Sequence, residues 1–282
     1  MWPSPWTATD SVLEEREAEA VERIRSWVAT TIGLKIDEEA AALAQRLEPV
    51  CRKLSLSIDG LRERLERGDH GASISVAEEV STNHTFFLRE PRVFEFLSST
   101  IIPGLPAIGE IRIWSAATSS GEEAYSLAIC ARRALGGLEA RDRVRILGTD
   151  ISERQIRHAE RGVFQRRALA SASVAIIDDF EVVDGAQLRV RPRVASMCVF
   201  RRMNLAQLPW PFAQRFHVVF LRNVLYYFDV ATRRRVLDAC WDAIEPGGWL
   251  VTSVTEPLLE MARWESCEAG VYRKPPGTGP RR

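Results

Sequence analysis

The sequence predicts an α/β fold that is preceded by a small all-helical domain and interrupted by a small β-hairpin. Short apolar runs rich in β-branched residues recur from about residue 111 onwards, as is typical of strands covered on both faces. Helical stretches lie between these runs. Strands that alternate with helices form an open, mostly parallel sheet, whose ligands bind at the carboxyl ends of the strands. Residues 11–80, in contrast, carry helical patterns and almost no strand pattern.

The helical domain is predicted to span residues 11–80. Apolar residues recur there at alternating steps of four and three, the stripe of an amphipathic helix. They are Ile36, Ala40, Leu43, Leu47, Val50 and Leu54. Pro49 lies inside this stripe, so the helix is expected to kink or restart there. A second short helix is predicted from Ser57 to Glu66, ending at Gly68.

The α/β domain is predicted to span residues 111–274, after a linker at 81–110. Its strands are expected at 111–117, 144–150, 217–223 and 249–255, and its helices at 122–135, 152–161 and 231–244. An Asp-Gly turn at Asp184 separates two alternating runs, which predicts an inserted β-hairpin at about 180–203. Residues 275–282 are rich in Pro, Gly and Arg, as is typical of a disordered tail.

Composition excludes several classes of protein. The 38 Lys and Arg residues balance 38 Asp and Glu residues, so no overall field favours nucleic acid or a membrane surface as partner. The five cysteines are scattered without C-x-x-C spacing, so reduced thiols are expected rather than disulfides or a metal site. No stretch has the pattern of a secretory signal or the length of a membrane span, which predicts a cytoplasmic protein.

A loop of small residues, Thr118 to Gly121, joins the first predicted strand to the following helix. It lacks both the G-x-G-x-x-G pattern and a lysine after Gly121, so neither a dinucleotide nor a P-loop nucleotide is favoured. Glu122 and Glu123 at the start of the helix would suit a cation, such as a sulfonium cofactor with an α-ammonium group. Equally well, they would complement the helix dipole. Both interpretations stay open.

Asp150 ends the second predicted strand. An acid at this position in a doubly wound fold commonly accepts hydrogen bonds from ribose hydroxyls. Ser152 and Gln155 have the spacing of a capping box, so Ser152 rather than Asp150 is expected to cap the next helix.

Two further clusters carry polar groups. Arg222 and Asn223 fall where an apolar strand ends, and a buried arginine is unfavourable unless it is paired or faces a cleft. In the linker, polar and aromatic residues alternate, so this segment is expected both to pack and to present polar groups. The polar members are Asn83, Thr85 and Arg89.

In this order, the clusters resemble the motifs of the CheR family of chemotaxis methyltransferases, from about residue 15 to residue 273. The matching segments are TNHTFFLRE at 82–90, RIWSAATSSGEEAYS at 112–126, TDIS at 149–152, LRNVLYYFD at 221–229 and PGGWL at 246–250. The resemblance implies a Rossmann-like class I methyltransferase domain with a helical N-terminal domain and a small β-subdomain. It also implies that the linker closes over the cofactor.

The resemblance further implies an activity and a site. The cofactor would be S-adenosylmethionine, the product S-adenosylhomocysteine, and the acceptors glutamate γ-carboxylates of a chemoreceptor or related signalling protein. The implied cofactor contacts are Asn83, Thr85, Arg89, Glu123, Asp150, Asn204, Leu205, Arg222 and Asn223. The implied catalytic residues are Arg89, Arg222 and Tyr227, whereas Tyr226 is assigned to core packing. No metal is implied.

The chain departs from the family pattern at three places. Leu88 stands where an aromatic residue is usual, VTSVTEP at 251–257 replaces a G-H-S-E segment, and the helix at 37–54 is not rich in arginine. The sequence therefore does not identify the surface that docks the substrate. Two alternatives remain: a methyltransferase of the same fold acting on another protein or a small molecule, and a cofactor-binding regulatory module without turnover.

Overall fold

The computed structural model describes residues 5–81, 85–169, 174–258 and 262–277, without the side chains of 5–15, 138–139 and 174–175. The chain divides into two compact units. One, the helical unit, comprises Met1–Thr82 and Tyr227–Thr232, and the other, the sheet unit, comprises Asn83–Tyr226 and Arg233–Arg282. Within the described ranges, no helix combines the length and the apolar character that crossing a membrane requires.

The helical unit is built from α1 (Pro5–Trp27), α2 (Ala40–Leu54), α3 (Ile58–Glu66) and α4 (His70–Val80). Helix α2 continues through Pro49 and buries the predicted stripe at Leu43, Leu47 and Val50. Ser57 caps α3 by accepting a hydrogen bond from the Gly60 amide at 3.1 Å, which satisfies an amide at the helix start. Helix α4 was not predicted, because its small and polar residues give little helical periodicity.

The segment Tyr227–Thr232 belongs to the helical unit although the sequence predicts it in the domain at 111–274. Leu34 and Phe228 form an isolated antiparallel bridge, and the Lys35 amide donates to the Tyr227 carbonyl at 2.6 Å. That boundary prediction is wrong here, because pairing between residues so distant in the chain leaves no local pattern.

The sheet unit contains a seven-stranded sheet and six helices among its described residues. The strands of this sheet are β1 (Ile111–Ala116), β2 (Val144–Asp150), β6 (Cys198–Arg202), β7 (Phe216–Leu221), β8 (Ile244–Val251), β9 (Glu265–Glu268) and β10 (Val271–Arg273), in the order β6-β2-β1-β7-β8-β10-β9. Neighbours from β6 to β8 are parallel, and β10 runs antiparallel to both β8 and β9. This mostly parallel sheet is the predicted Rossmann-like α/β fold.

The helices of this unit are α5 (Pro91–Phe96), α6 (Glu122–Leu135), α7 (Gly137–Arg143), α8 (Glu153–Arg161), α9 (Pro192–Ala195) and α10 (Val230–Ala243), whose first residues belong to the helical unit. Partly buried aromatic rings pack around the fully buried Trp114 of β1, with Trp210 and Phe212 both at 4.8 Å between ring centres. Strand β1 therefore lies in the core of the sheet unit.

A second, three-stranded antiparallel sheet forms the β-subdomain. It consists of β3 (Val163–Gln165), β4 (Phe180–Val182) and β5 (Gln187–Val190), in the order β3-β5-β4. The predicted turn connects β4 to β5, and the Asp184 carboxylate accepts from the amides of Ala186 and Gln187 at 2.9 and 2.8 Å.

The prediction of a hairpin reaching residue 203 is wrong in its second half. Residues Cys198–Arg202 form β6 and pair in parallel with β2 in the large sheet. The partner of a strand this short cannot be read from its own sequence. Of the predicted disordered tail, residues 278–282 lie outside the described residues.

Candidate functional site

The predicted polar residues of the sheet unit lie at the carboxyl ends of β1, β2 and β7. The loop between β1 and α6 holds three residues with left-handed backbone, Ala117, Ser119 and Gly121. At Gly121 the φ angle is +97°, and a Cβ atom there would lie 2.8 Å from the Cβ of Ala159. Only glycine fits both requirements, so the loop passes close to α8 before α6 begins.

Asp150 joins the loops that follow two neighbouring strands. Its Oδ2 accepts a hydrogen bond from the Ser119 amide and its Oδ1 one from the Ser152 amide, each at 2.9 Å. Burial raises the pKa of this carboxyl, and the amide hydrogen bonds oppose the rise. A carboxylate that accepts two hydrogen bonds keeps lone pairs for further donors, such as ribose hydroxyls. As predicted, Ser152 caps α8, accepting from the Gln155 amide at 3.2 Å.

Glu123 connects the ends of β1 and β7. Its Oε1 accepts from the Ser115 hydroxyl at 2.7 Å, and its Oε2 from Arg222 Nη1 at 3.1 Å. Burial raises the pKa of Glu123, with Arg222 and Ser115 opposing part of the rise. The helix dipole is therefore not the only partner of this acid, and a largely buried ion pair lies at the start of α6.

Arg222 is enclosed, with a side chain only 1% exposed. Besides Glu123, its Nη2 donates to the Arg89 carbonyl at 2.7 Å and lies 3.3 Å from Glu90 Oε1. Its guanidinium carbon lies 5.6 Å from the ring centre of Phe94. The arginine that ends β7 is thus paired on two sides, which meets the requirement for burying it.

The linker residues have distinct surroundings. The guanidinium of Arg89 lies 5.8 Å from the ring centre of Phe86, and Arg89 itself is half-buried. Phe87 is fully buried, in edge-to-face contact with Phe164 at 5.0 Å. At Leu88 the backbone is left-handed, and its amide donates to the Ser126 hydroxyl of α6 at 3.0 Å. Thr85 is half-buried. Asn83, in contrast, lies outside the described residues.

Asn223 adopts left-handed backbone with a φ of +55°. Its amide donates to Glu256 Oε2 at 2.7 Å, and the Tyr226 amide donates to Glu256 Oε1 at 3.2 Å. Glu256 is 3% exposed, and burial raises its pKa against the opposing effect of these amides.

Glu90 is a second acid to which the sequence assigns no role. Its carboxylate accepts from the Ser253 hydroxyl at 2.8 Å and from the Val254 amide at 3.2 Å. Although burial acts to raise the pKa of Glu90, Arg222 and these two donors outweigh it and lower the pKa. Glu90 lies inside the linker motif and Glu256 follows the end of β8, but nothing in the local sequence distinguishes either acid from an exposed one.

One of the two tyrosines after β7 differs from expectation. Tyr226 is 52% exposed, so its assignment to core packing is wrong. The short 3₁₀ turn Leu225–Tyr227 directs Leu225 inward instead, and Leu225 is fully buried. Tyr227 belongs to the helical unit, and its catalytic role stays a prediction.

Asn204 and Leu205 follow β6 next to Asp150, since the Met203 amide donates to the Asp150 carbonyl at 2.8 Å. The side-chain oxygen of Asn204 accepts from the Ala206 amide at 2.9 Å, and Leu205 is buried. Their contact with a cofactor stays a prediction.

The arrangement suits a ligand with both cationic and polar groups. Linked contacts and short loops join Arg89, Glu123, Asp150, Arg222 and Asn223 at one edge of the sheet. Three buried polar atoms there have no hydrogen-bond partner among the described residues: Thr118 Oγ1, Ser119 Oγ and Arg222 Nε. Buried polar atoms are usually satisfied, so their position favours a bound polar ligand. S-adenosylmethionine, with a sulfonium, an α-ammonium and ribose hydroxyls, fits the two acids, the largely buried Glu123 and the buried Asp150.

The sequence of this chain is similar to those of known proteins over most of its length. The family model described as CheR methyltransferase, SAM binding domain, matches residues 83–272. A probable chemotaxis protein methyltransferase from Rhizobium etli is 32% identical over 244 residues, covering 82% of this chain and 90% of the relative. A chemotaxis protein methyltransferase from Borreliella burgdorferi is 30% identical over 208 residues, covering 71% of this chain and 74% of the relative. Chemotaxis protein methyltransferase 1 from Pseudomonas aeruginosa is 29% identical, covering 89% and 96%.

Proposed function

Since the chain belongs to the CheR methyltransferase family, we propose that it methylates glutamate γ-carboxylates of a chemoreceptor or a related signalling protein. The chain is an S-adenosylmethionine-dependent methyltransferase. The observation that carries the proposal is the ion pair between Glu123 and the buried Arg222 at the sheet edge that also holds Asp150.

Several residues of the site would hold the cofactor. Glu123 would face the α-ammonium group and Asp150 the ribose hydroxyls, because both are acceptors largely removed from water, with capacity for further donors. Asn204 and Leu205 would lie beside the adenine. When bound, the cofactor supplies a methyl group on a positively charged sulfur.

The acceptor requires little chemical help. A glutamate side chain has a reference pKa of about 4.3, so it is already ionised at neutral pH and no general base is needed. Opposite charges neutralise as the methyl group is transferred. Catalysis therefore rests on positioning the acceptor and excluding water.

We assign the orientation of the acceptor carboxylate to Arg89. The Nη1 and Nη2 atoms of Arg222 already contact Glu123, Glu90 and the Arg89 carbonyl. Arg89 has a half-buried guanidinium against an aromatic ring, and such a group can bind a carboxylate through two parallel hydrogen bonds. Arg222 then acts mainly on the cofactor side, and Tyr227 is proposed to aim the acceptor.

The proposal places the enzyme in the cytoplasm, with a signalling protein as its partner and without nucleic acid or membrane insertion. The free thiols of its cysteines are typical of a reducing compartment.

Methylation of a purified receptor cytoplasmic fragment with methyl-labelled S-adenosylmethionine tests the proposal. We expect base-labile label on glutamate side chains of the fragment, since carboxyl methyl esters hydrolyse in base. The matched control is the same fragment with the labelled glutamates replaced by glutamine, which should take up no label at those positions.

Calorimetry with S-adenosylhomocysteine separates the alternatives. Binding without labelling of any receptor fragment would favour a different substrate or a module without turnover. Absence of binding would contradict every reading that involves the cofactor.

A further inference from the structure

A short loop after β8, Ser253–Glu256, contacts both the linker and the end of β7; we call it the supporting loop. It has a structure of its own, because the Glu256 amide donates to the Ser253 carbonyl at 2.9 Å and the Thr252 hydroxyl to the Glu256 carbonyl at 3.0 Å. It lies where the chain departs from the G-H-S-E segment of the family. None of its residues belongs to the predicted site.

On one side, the supporting loop holds the backbone that follows Arg222. Both oxygens of the Glu256 carboxylate are used, one by the Asn223 amide at 2.7 Å and the other by the Tyr226 amide at 3.2 Å. Asn223 has left-handed backbone, which is unfavourable for most residues and needs support from its surroundings. A charged acceptor on its amide provides that support.

On the other side, the supporting loop holds the side chain of Arg222 indirectly. The Ser253 hydroxyl and the Val254 amide both donate to the Glu90 carboxylate. Glu90 in turn lies 3.3 Å from Arg222 Nη2, and the preceding carbonyl, that of Arg89, accepts from the same nitrogen. Glu90 is itself held in left-handed backbone at a φ of +62°.

Together these contacts form a closed ring. It runs from the Arg222 guanidinium through Glu90 to Ser253, along the supporting loop to Glu256, and back to Asn223, the neighbour of Arg222. The opposite end of the guanidinium meets Glu123, the acid proposed to face the cofactor. Backbone and side chain of Arg222 are thus fixed by the same loop.

We propose that Glu90 and Glu256 are positioning residues, which act through the supporting loop to hold Arg222 and Asn223 in the geometry that binds the cofactor. This inference rests on the proposed function. Neither acid needs to touch the cofactor, since each acts on another residue. A binding site that is fixed beforehand loses less conformational freedom when its ligand binds.

The test compares Glu256→Ala with the wild-type protein by calorimetry with S-adenosylhomocysteine, well below the unfolding temperature. The substitution leaves two backbone amides without their acceptor and frees the left-handed turn at Asn223. We expect the Kd to rise by about tenfold or more. A change of this size corresponds to the net contribution of about one buried hydrogen bond. Glu256→Gln keeps one acceptor oxygen, so its Kd is expected to lie between those of wild type and Glu256→Ala.

Lys274→Met is the matched control. Lys274 is 2% exposed, and its Nζ donates to the Trp241 and Ile244 carbonyls at 2.7 and 2.8 Å, at the amino end of β8. Like Glu256, it is a buried charged group with two backbone partners, but it lies outside the site. We expect a comparable fall in Tm with a Kd within about twofold of wild type.

Two results would overturn the inference. One is a Kd for Glu256→Ala that equals that of wild type while Tm falls, because Glu256 would then be structural only. The other is a similar rise in Kd for Lys274→Met, because general destabilisation would then explain both. If Glu256→Ala does not fold, Glu256→Gln and Glu90→Gln take its place under the same criteria. A wild-type protein that does not bind S-adenosylhomocysteine overturns the proposed function together with this inference.

Discussion

Glu122 is a buried acid directly before Glu123, and burial raises its pKa to about 7. The Ser120 hydroxyl donates to its Oε2 at 2.7 Å. The folded state therefore keeps the proton on Glu122 at pH values where the unfolded chain has lost it. Stability from this group is fully present below the unfolded pKa of 4.5 and is lost as pH rises through about 7.

Glu122→Gln removes this dependence, because the amide is neutral at every pH and can still bond to Ser120. We expect the free energy of unfolding of the variant to increase relative to wild type as the pH rises from 4.5 to about 7. Above pH 7 the difference should stay at about 3 kcal/mol. Urea unfolding at a series of pH values measures the difference. Glu160→Gln, at an exposed position of α8, is the control. A difference between Glu122→Gln and wild type that does not change with pH would contradict the prediction.

At the residue scale, the sequence identifies charged groups at strand ends but not their supports. Glu123, Asp150 and Arg222 were predictable because an acid or an arginine beside a buried strand needs a partner or a ligand. Glu90 and Glu256 were not, since their partners include backbone amides and a hydroxyl from distant parts of the chain. Backbone donors are present at nearly every residue, so they leave no mark in a sequence.

Helix α6 begins where its loop passes against α8, and Gly121 makes this approach possible. We expect Gly121→Ala to destabilise the protein by about 2–4 kcal/mol, because it combines left-handed strain with a clash against Ala159. Gly109→Ala is the matched control: φ is +89° there, but a Cβ would have open space around it. It should lose only about 1 kcal/mol, the strain alone.

Urea unfolding of both variants gives the comparison. Equal losses would show that strain rather than packing determines the effect at Gly121. The Gly121→Ala protein should also bind S-adenosylhomocysteine more weakly, because the displaced loop carries the Ser119 amide that bonds to Asp150.

At the element scale, long regular segments were predictable and short or distant pairings were not. Strand β2 and helix α6 fall at the predicted residues, because each has a clear period and a clear end signal. Strand β3 has three residues and pairs with β5 across a gap of more than 20 positions. Strand β6 follows the hairpin closely in the sequence, and only its pairing with β2 decides which sheet it joins.

At the scale of the whole molecule, the bound product is expected to stabilise the protein. A ligand at 100 times its Kd adds about 2.7 kcal/mol when it binds only the folded state. For a chain of this size the Tm should rise by roughly 5–10 °C, since each kcal/mol corresponds to about 2–4 °C. Scanning fluorimetry with S-adenosylhomocysteine measures the shift.

The comparison ligand is 5′-methylthioadenosine, which lacks the α-ammonium and α-carboxylate groups. It should give a smaller shift at equal concentration, because Glu123 would lose its proposed partner, the α-ammonium group. Equal shifts from the two ligands would contradict the role proposed for Glu123.

The fold class was predictable as a whole because strands and helices alternate over some 160 residues, from Ile111 to Arg273. The division into two units was not, since the motif LRNVLYYFD is split between them at Tyr226 and Tyr227. A motif is continuous in the sequence even where its two halves belong to different units, so it gives no sign of the division.

That split has a consequence during synthesis. The helical unit needs Tyr227–Thr232, which emerge from the ribosome roughly 150 residues after Thr82, on the order of 10 s later at ~5–20 residues per second. Until then Leu34 lacks its bridge partner Phe228, and the Lys35 amide lacks its acceptor, the Tyr227 carbonyl. We therefore expect the first 82 residues to reach their final state only after most of the sheet unit has been translated, contrary to the usual order in which an N-terminal domain folds first.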